Sequence, residues 1–462
     1  MTDVTSPSKE YTSLIADVKL NRAAVTGQRA IKEGTTTYLT PLASQLNPDG
    51  SFTPEGLRSY NKYLQLALFF NATGRTVDGL SGLIFRKDPI IELPQAIEYL
   101  IDNIEATNQS MISQMQTVVR DAFATPRSAL LTDFPESSGT ISRLDSERQN
   151  LRPRILFFPF ESIIKTFFQV VNNKYQLALA VLLEPTSKLI GFEIEDELSY
   201  RVLSLIDGVY HHALYSEKGS VIKEPEPVLV NGQVSNEIPM YFIEPLDGKK
   251  AAIDDLVDVN LNHYNMFASY ANKEHTSGFP IFWETGVQDT DADSNVDIGP
   301  GAKWTSSVID AQFGILETAA DGGSLRTYLE DRKTEMAALG AEMLTPSTSQ
   351  AESGESKRLD KVAQNATTAD IANTVSRAYT QAIQFAARWV GADEGAITIT
   401  LNTDYIPDNM NPQLLTALLA ALQSGEISYD TFYTNLQRGE IAKSDRTAEE
   451  EKTLIATDDN GM

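Results

Sequence analysis

The chain has 462 residues, enough for more than one core, and 42% of them are hydrophobic, an ordinary share for a globular protein. Its 38 Lys+Arg against 63 Asp+Glu leave a net charge of −25, which excludes holding duplex DNA by counterion release. Cysteine is absent, so disulfides, thiolate catalysis and thiolate zinc sites are excluded. No apolar run approaches the roughly 18 residues of a membrane span, and MTDVTSPSKEYTS lacks the apolar segment of a signal peptide, so a soluble protein made in a cytosol is expected.

In chain order, Tyr11 to Gly34 reads as one helix carrying Leu14, Ile15, Val18 and Leu20 beside the basic Lys19, Arg22 and Arg29, and TTTYLTP after it as extended. Thr53 is an N-cap with Pro54 at the first helical position, ahead of Leu57, Tyr60, Tyr63 and Leu64; this helix continues or kinks toward Asp88-Pro89. Pro94 to Ala124 predicts two more helices, the second over Met111, Met115, Val118, Val119 and Phe123. The period then changes. Arg127–Phe134, Pro153–Val171, Tyr175–Leu183 and short segments to Phe242 read as strands, with turns at Asn172-Asn173, Asp207-Gly208, Lys218-Gly219 and Asn231-Gly232. An antiparallel sheet on the preceding helices, hence an α+β fold, is expected.

Asp254–Thr276 is helical in spacing, and Gly278–Ser307 extended and irregular around Trp283 and Trp304. From Asp321 a helix places Leu325, Tyr328, Leu329, Met336, Leu339 and Met343 on one stripe. The loop TPSTSQAESGES follows, and then a helix whose seam is Ile371, Val375, Ala378, Ala382, Phe385 and Trp389, closed by Gly391. That seam is short and filled with alanine, which favours a packed helix over a coiled coil. A strand at Ala396–Leu401, helices starting at Asn411-Pro412 and at Ser428, and a charged, disordered tail from Gly439 complete the chain.

Chemistry has few candidates. Asp289, Asp291, Asp293, Asn295 and Asp297 alternate like the start of a calcium loop, but Ser294 stands where glycine is required and Pro300 where a bidentate glutamate is. Gly299 and Gly301 before Lys303 do not form a phosphate loop, and His211, His212, His263 and His275 have no metal-site spacing. Glu330, Asp331 and Glu335 interleave with Arg332 and Lys333, as on a charge-paired solvated face. Neither an active site nor a cofactor is expected.

Four stretches, FFNATGRTVDGLSGLIFRKDPIIELP, RDAFATPRSALLTDFPE, LNHYNMFASYANKEHTSGFPIFWETG and YLEDRKTEMAALGAEML, resemble in content and order phage proteins filed under a domain of unknown function and regarded as portal proteins of tailed bacteriophages. The resemblance runs from about Asn21 to Gly439, and its specificity lies in the order of the stretches. It implies an α+β portal-like fold in a ring of about twelve subunits at one capsid vertex, assembled in the host cytoplasm. Implied partners are the terminase, the major capsid protein, a tail or head-completion adaptor, and double-stranded DNA passing through without sequence-specific binding; no membrane is involved.

On that plan, residues 1–253 form a wing, 254–276 a first stem helix, 277–320 a clip, 321–344 a second stem helix and 345–356 a tunnel loop. Residues 357–405 are then a long wing helix and strand, 406–438 a helical crown, and 439–462 an acidic tail. Expected channel residues are Thr345, Ser347, Ser349, Gln350, Ser353, Lys357 and Arg358, with Trp283 and Trp304 as partner contacts on the clip. Lys357 and Arg358 have an equal alternative, pairing with Glu355, Asp360 or a neighbouring subunit. Two other readings stay open, a calcium- or magnesium-dependent hydrolase on Asp289–Asp297 and another ring-forming head–tail adaptor, although adaptors are normally much shorter.

Overall fold

The computed structural model describes residues 4–135, 151–171, 173–230, 232–277, 281–285, 310, 312–316, 323–341, 354–405, 412–439, 441–443 and 446–458, with backbone alone for 171, 188, 276–277, 281–282, 284, 313, 315–316, 341, 354–365, 412–414, 438 and 456–458. Ser8 caps α1 (Lys9–Thr26), accepting from the Tyr11 N–H at 3.1 Å. The single helix expected to Gly34 is two, because Gly27 takes φ 104° and turns the chain into α2 (Gln28–Glu33). The segment after it, expected to be extended, opens with a 3₁₀ turn at Thr35–Thr37.

Thr53 caps α3 (Pro54–Leu66) through the Gly56 N–H at 2.8 Å, as its sequence requires. The helix does not continue; Asn71 starts a separate α4 (Ala72–Ile84), accepting from the Gly74 N–H at 2.9 Å. Beyond β1 (Ile90–Glu92), the first of the two helices expected before Ala124 is a 3₁₀ segment, Gln95–Leu100, followed by left-handed residues at Ala106 and Asn108. The second is α5 (Met111–Ala124), whose five predicted apolar residues are all buried.

The expected sheet is two sheets. β2 (Ser128–Asp133) lies between β3 (Arg154–Phe158) and β11 (Met240–Ile243). A meander of β4 (Ile163–Val171), β5 (Lys174–Ile190), β6 (Glu193–Ile206), β7 (Val209–Ser216) and β8 (Val221–Pro227) forms the other. A small hairpin, β9 (Leu229–Val230) with β10 (Gln233–Val234), follows the meander. The turn at Asp207-Gly208 has φ of 50° and 77°, the left-handed pair that a tight hairpin needs. Alternation along β2 sends Leu130 into the helical core and Ala129 and Leu131 into a second core beneath the meander, with Leu182, Leu203 and Tyr210. The three-stranded sheet is therefore a middle layer between helices and meander. Every strand pairing among the described residues is antiparallel, in agreement with an α+β fold.

Next come α6 (Asp254–Ser277), a ribbon of β12 (Ile281–Thr285) and β13 (Gln312–Leu316), and α7 (Gly323–Met336). α7 ends in a π turn, Ala337–Ala341, with Gly340 at φ 122°. That turn breaks the helical period, so Leu339, expected on the buried stripe, is exposed. α8 (Gly354–Val390) starts inside the segment expected to be loop and runs 37 residues, about 55 Å. Its expected seam is wider than six positions: Ala372, Tyr379, Ile383, Ala386 and Ala387 are buried as well. The exposed stripe is Asn373, Arg377 and Gln381, at steps of four. Gly391 at φ 73° ends it.

Around α8 lie α4, α5, β2, β11 and β14 (Thr398–Thr400), and β14 pairs back to β1. Thr132 Oγ1 donates to the Ala382 carbonyl at 2.7 Å, an approach that alanine permits. Tyr379 donates to Gln114 Oε1 at 2.7 Å, and Gln114 Nε2 to the Ile155 carbonyl at 2.9 Å. Helices α9 (Pro412–Gln423), α10 (Tyr429–Arg438, capped by Ser428) and α11 (Ala448–Asp458) close the described chain. α11 lies in the tail expected to be disordered; its first turn carries Glu449, Glu450 and Glu451, which favour a helix N-terminus.

A side chain at Gly27 meets both a left-handed backbone and Asn71 Nδ2, 2.7 Å from the added Cβ. Gly27→Ala is expected to cost about 1–3 kcal/mol in urea unfolding, from strain plus disturbance of the Asn71 cap.

Candidate functional site

The unit that could act on a partner is the antiparallel pair α6 and α7 with the ribbon between them. α6 is tied to the body at its start, where Asn21 Nδ2 donates to Asp254 Oδ1 at 2.7 Å and to the Ala124 carbonyl at 3.0 Å. Burial pushes the Asp254 carboxyl up, and the Asn21 bond opposes it. Val257, Tyr264 and Ala268 face the helical core, while Asn260 Nδ2 donates to Thr73 Oγ1 on α4 at 3.0 Å. Tyr63 of α3 meets Ser269 at 3.1 Å between hydroxyls. α6 is thus fixed along its length.

α7 is held more lightly. Its buried side chains are Leu329 and Met336, the latter packed on Ala72 and Leu256. Tyr328 donates to Asn262 Oδ1 at 2.9 Å, and Arg332 lies 4.7 Å over the Tyr328 ring. Arg332–Glu335 at 2.5 Å and Lys333–Glu330 at 3.0 Å form the charge-paired face that the sequence predicts.

His263, one of the four histidines without metal-site spacing, lies on the inner side of α6. It is 2% exposed, its ring lies 6.0 Å from Phe70 and 6.3 Å from Phe267 between centroids, and neither ring nitrogen has a hydrogen-bond partner. Burial pushes its pKa down to about 4; Lys333 adds to the shift and Glu330 opposes it. His211 and His212 lie on β7, and no group of three His, Asp or Glu among the described residues could hold a metal ion.

In the ribbon, Trp283 pairs with Gly314, and a Cβ on Gly314 would fall 2.5 Å from the indole. Glycine lets the ring lie across the neighbouring strand, and 42% of Trp283 remains exposed. Trp304, the 289–297 acidic segment, Thr345, Ser347, Ser349, Gln350 and Ser353 lie outside the described residues. Lys357 and Arg358 fall in the first turns of α8, with their side chains outside the description.

Sequence reasoning placed Arg22 on a helix and missed its partners. Arg22 bonds Asp121 at 2.5 Å and chelates Glu161 through Nε and a second nitrogen, joining α1, α5 and the start of the meander. Burial pushes the Asp121 carboxyl up against the pull of Arg22, and the cluster lines a cleft of about 540 Å³ with Arg120, Thr117 and Phe157. All three charges are mutually satisfied, which makes the cluster a staple.

Residues 252–390, from the start of α6 to the end of α8, match a family described as a domain of unknown function, DUF4055. The solved structure described as "Neck of native GTA particle computed with C12 symmetry" is 10% identical, covering 79% of this chain and 89% of that one, with a TM-score of 0.36. "Neck of empty GTA particle computed with C6 symmetry" is 8% identical over 81% and 92%, with a TM-score of 0.38. Among curated proteins no relative matches the chain.

Folded His263 refuses the proton that the unfolded chain accepts below its ordinary pKa of 6.5. Stability is therefore expected to fall as pH drops from about 6.5 to about 4, by about 3 kcal/mol from this residue. Urea unfolding of His263→Leu across that range should show the loss flattened relative to the parent chain.

Proposed function

We propose that this protein is the subunit of a phage portal, a ring at one capsid vertex through which genome DNA enters and leaves. The coarser form of the reading is a structural head–tail protein of a phage-like particle; the finer form assigns each part of the chain. The observation that carries it is the order of α6, the β12–β13 ribbon, α7 and the long α8, with α7 lying back along α6. This is the stem, clip, stem and wing-helix sequence implied by the resemblance of the chain to portal proteins.

Residues 1–253 are the wing, α6 and α7 the stem, 277–320 the clip, 345–356 the tunnel loop, 406–438 the crown and 439–462 a tail. Residues 357–405, which hold most of α8 and all of β14, anchor the stem to the wing. The exposed Trp283 gives the clip a flat aromatic surface for a terminase or an adaptor. A helix pair buried on one side, with paired charges on the other, suits the wall of a ring. The net charge of −25 supports the same reading, because a conduit that captured phosphates would stall its cargo. The reading gives the chain no bond-making chemistry, and the motor that docks on it supplies the work of translocation.

Native mass measurement and negative-stain imaging of the purified chain are expected to show closed rings of about twelve copies; a monomer at every concentration sinks the proposal. Within rings, Lys357→Ala with Arg358→Ala is expected to lower the DNA retained per particle while leaving ring mass unchanged. Equal retention removes those two residues from the channel.

A further inference from the structure

We infer that the far end of the β5–β6 hairpin is an arm with which one copy of this chain grips the outer face of α3 on the next copy. The inference rests on the ring reading above and adds to it a specific contact. β4 stops pairing with β5 at Leu182, and β7 stops pairing with β6 at Ser199. Residues 185–198 therefore leave the sheet as a ribbon of two strands, closed by Gly191 at φ 66° and Phe192.

Residues paired across such a ribbon share a face. Pro185–Leu198 and Leu189–Ile194 fall on one face, with Ser187 bonded to Asp196 at 2.7 Å between them. Glu193, Glu195 and Glu197 fall on the other. Leu189 is 73% exposed, Ile194 70% and Phe192, at the tip, 104%. A lone two-stranded ribbon is marginal in water, and one with an apolar face and a bare aromatic tip is an interaction site.

Charge identifies what covers it. Residues 185–198 carry four acidic side chains against one lysine, so the occupant is basic. In a chain of net charge −25, the stretch from Lys19 to Lys87 carries nine basic against four acidic side chains, a net of +5. One accessible part of it is the outer face of α3, where Arg58 and Lys62 are exposed near Leu57 at 47%, with Leu68 at 48% just past the end of the helix. Lys32 of α2 adds to that face, its Nζ donating to the Gln65 carbonyl at 3.1 Å. Leu57 to Leu66 spans about 14 Å of helix, and Phe192 to Leu198 about 20 Å at strand rise.

An apolar and acidic ribbon thus has an apolar and basic counterpart, and both are exposed in the single chain, so neither covers the other. Arm and receptor are different patches, which makes the contact head-to-tail and repeatable around a ring.

The test is native mass spectrometry of the full chain carrying Leu189→Asp and Ile194→Asp. The expected result is loss of rings, with self-association weakened about tenfold or more and the melting temperature unchanged, because both residues are exposed. Rings of unchanged mass overturn the arm and leave the portal reading standing; a parent chain that never forms rings overturns both. Because the chain has no cysteine, Phe192→Cys with Lys62→Cys is a second test that stands even if the first variant unfolds. Oxidation is expected to link neighbouring copies into a ladder. Rings that stay unlinked, or Phe192→Cys linking to a capsid protein instead, overturn the inference.

Discussion

The backbone approach of α8 to β2 is the constraint on which the rest of the structure depends. Thr132 Oγ1 reaches the Ala382 carbonyl at 2.7 Å, and this requires α8 to present alanine where most buried helices present leucine. Ala372, Ala378, Ala382, Ala386 and Ala387 serve that purpose, and the larger Tyr379 and Phe385 fill the spaces toward the flanking elements. A bulkier residue at these positions forces strand and helix apart, and interiors accommodate such growth poorly. The Tyr379–Gln114–Ile155 chain of hydrogen bonds then fixes the rotation of α8 against α5 and β3. Every layer takes its position from this one helix.

Away from that centre, fixation weakens in a way that matches exposure. α6 has polar ties at Asn21, Thr73 and Ser269, whereas α7 is held by two buried side chains and surface polar contacts. Among the described residues, the β5–β6 ribbon has no strand paired to either edge beyond its sheet. Local stability follows buried apolar contact, so α7 and the ribbon are the parts most free to adapt to another molecule. Charge follows the same division: basic side chains gather around α2 and α3, while carboxylates dominate the ribbon.

Features decided within a few residues were legible in the sequence. The caps at Thr53 and Ser428 and the left-handed Gly391 follow from local hydrogen bonds and sterics, and all three are where the pattern places them. Features decided across the chain were not. The break at Gly27 falls inside the single helix expected from Tyr11 to Gly34, and the partners of Arg22 lie 99 and 139 residues away. β5 was expected to stop at Leu183, yet it runs on through Pro185, which lacks a ladder donor but lies beyond the end of β4, where that edge of β5 is open. The burial of His263 depends on Phe70, which the periodicity of α6 cannot reveal. Of the expected channel loop, 345–356, residues 345–353 lie outside the described residues and 354–356 open α8, so its place rests on the resemblance alone.

The pairing of β1 with β14 also sets a schedule for synthesis. Ile90–Glu92 has no partner strand until Thr398–Thr400 has left the ribosome. At ordinary elongation rates that is a wait of roughly 15–60 s. During it, the apolar surfaces of α4, α5 and β2 that α8 will cover stand open, and no chain can present a finished subunit. The lateness of a single helix therefore makes the finished core a property of the completed chain and of no nascent part of it.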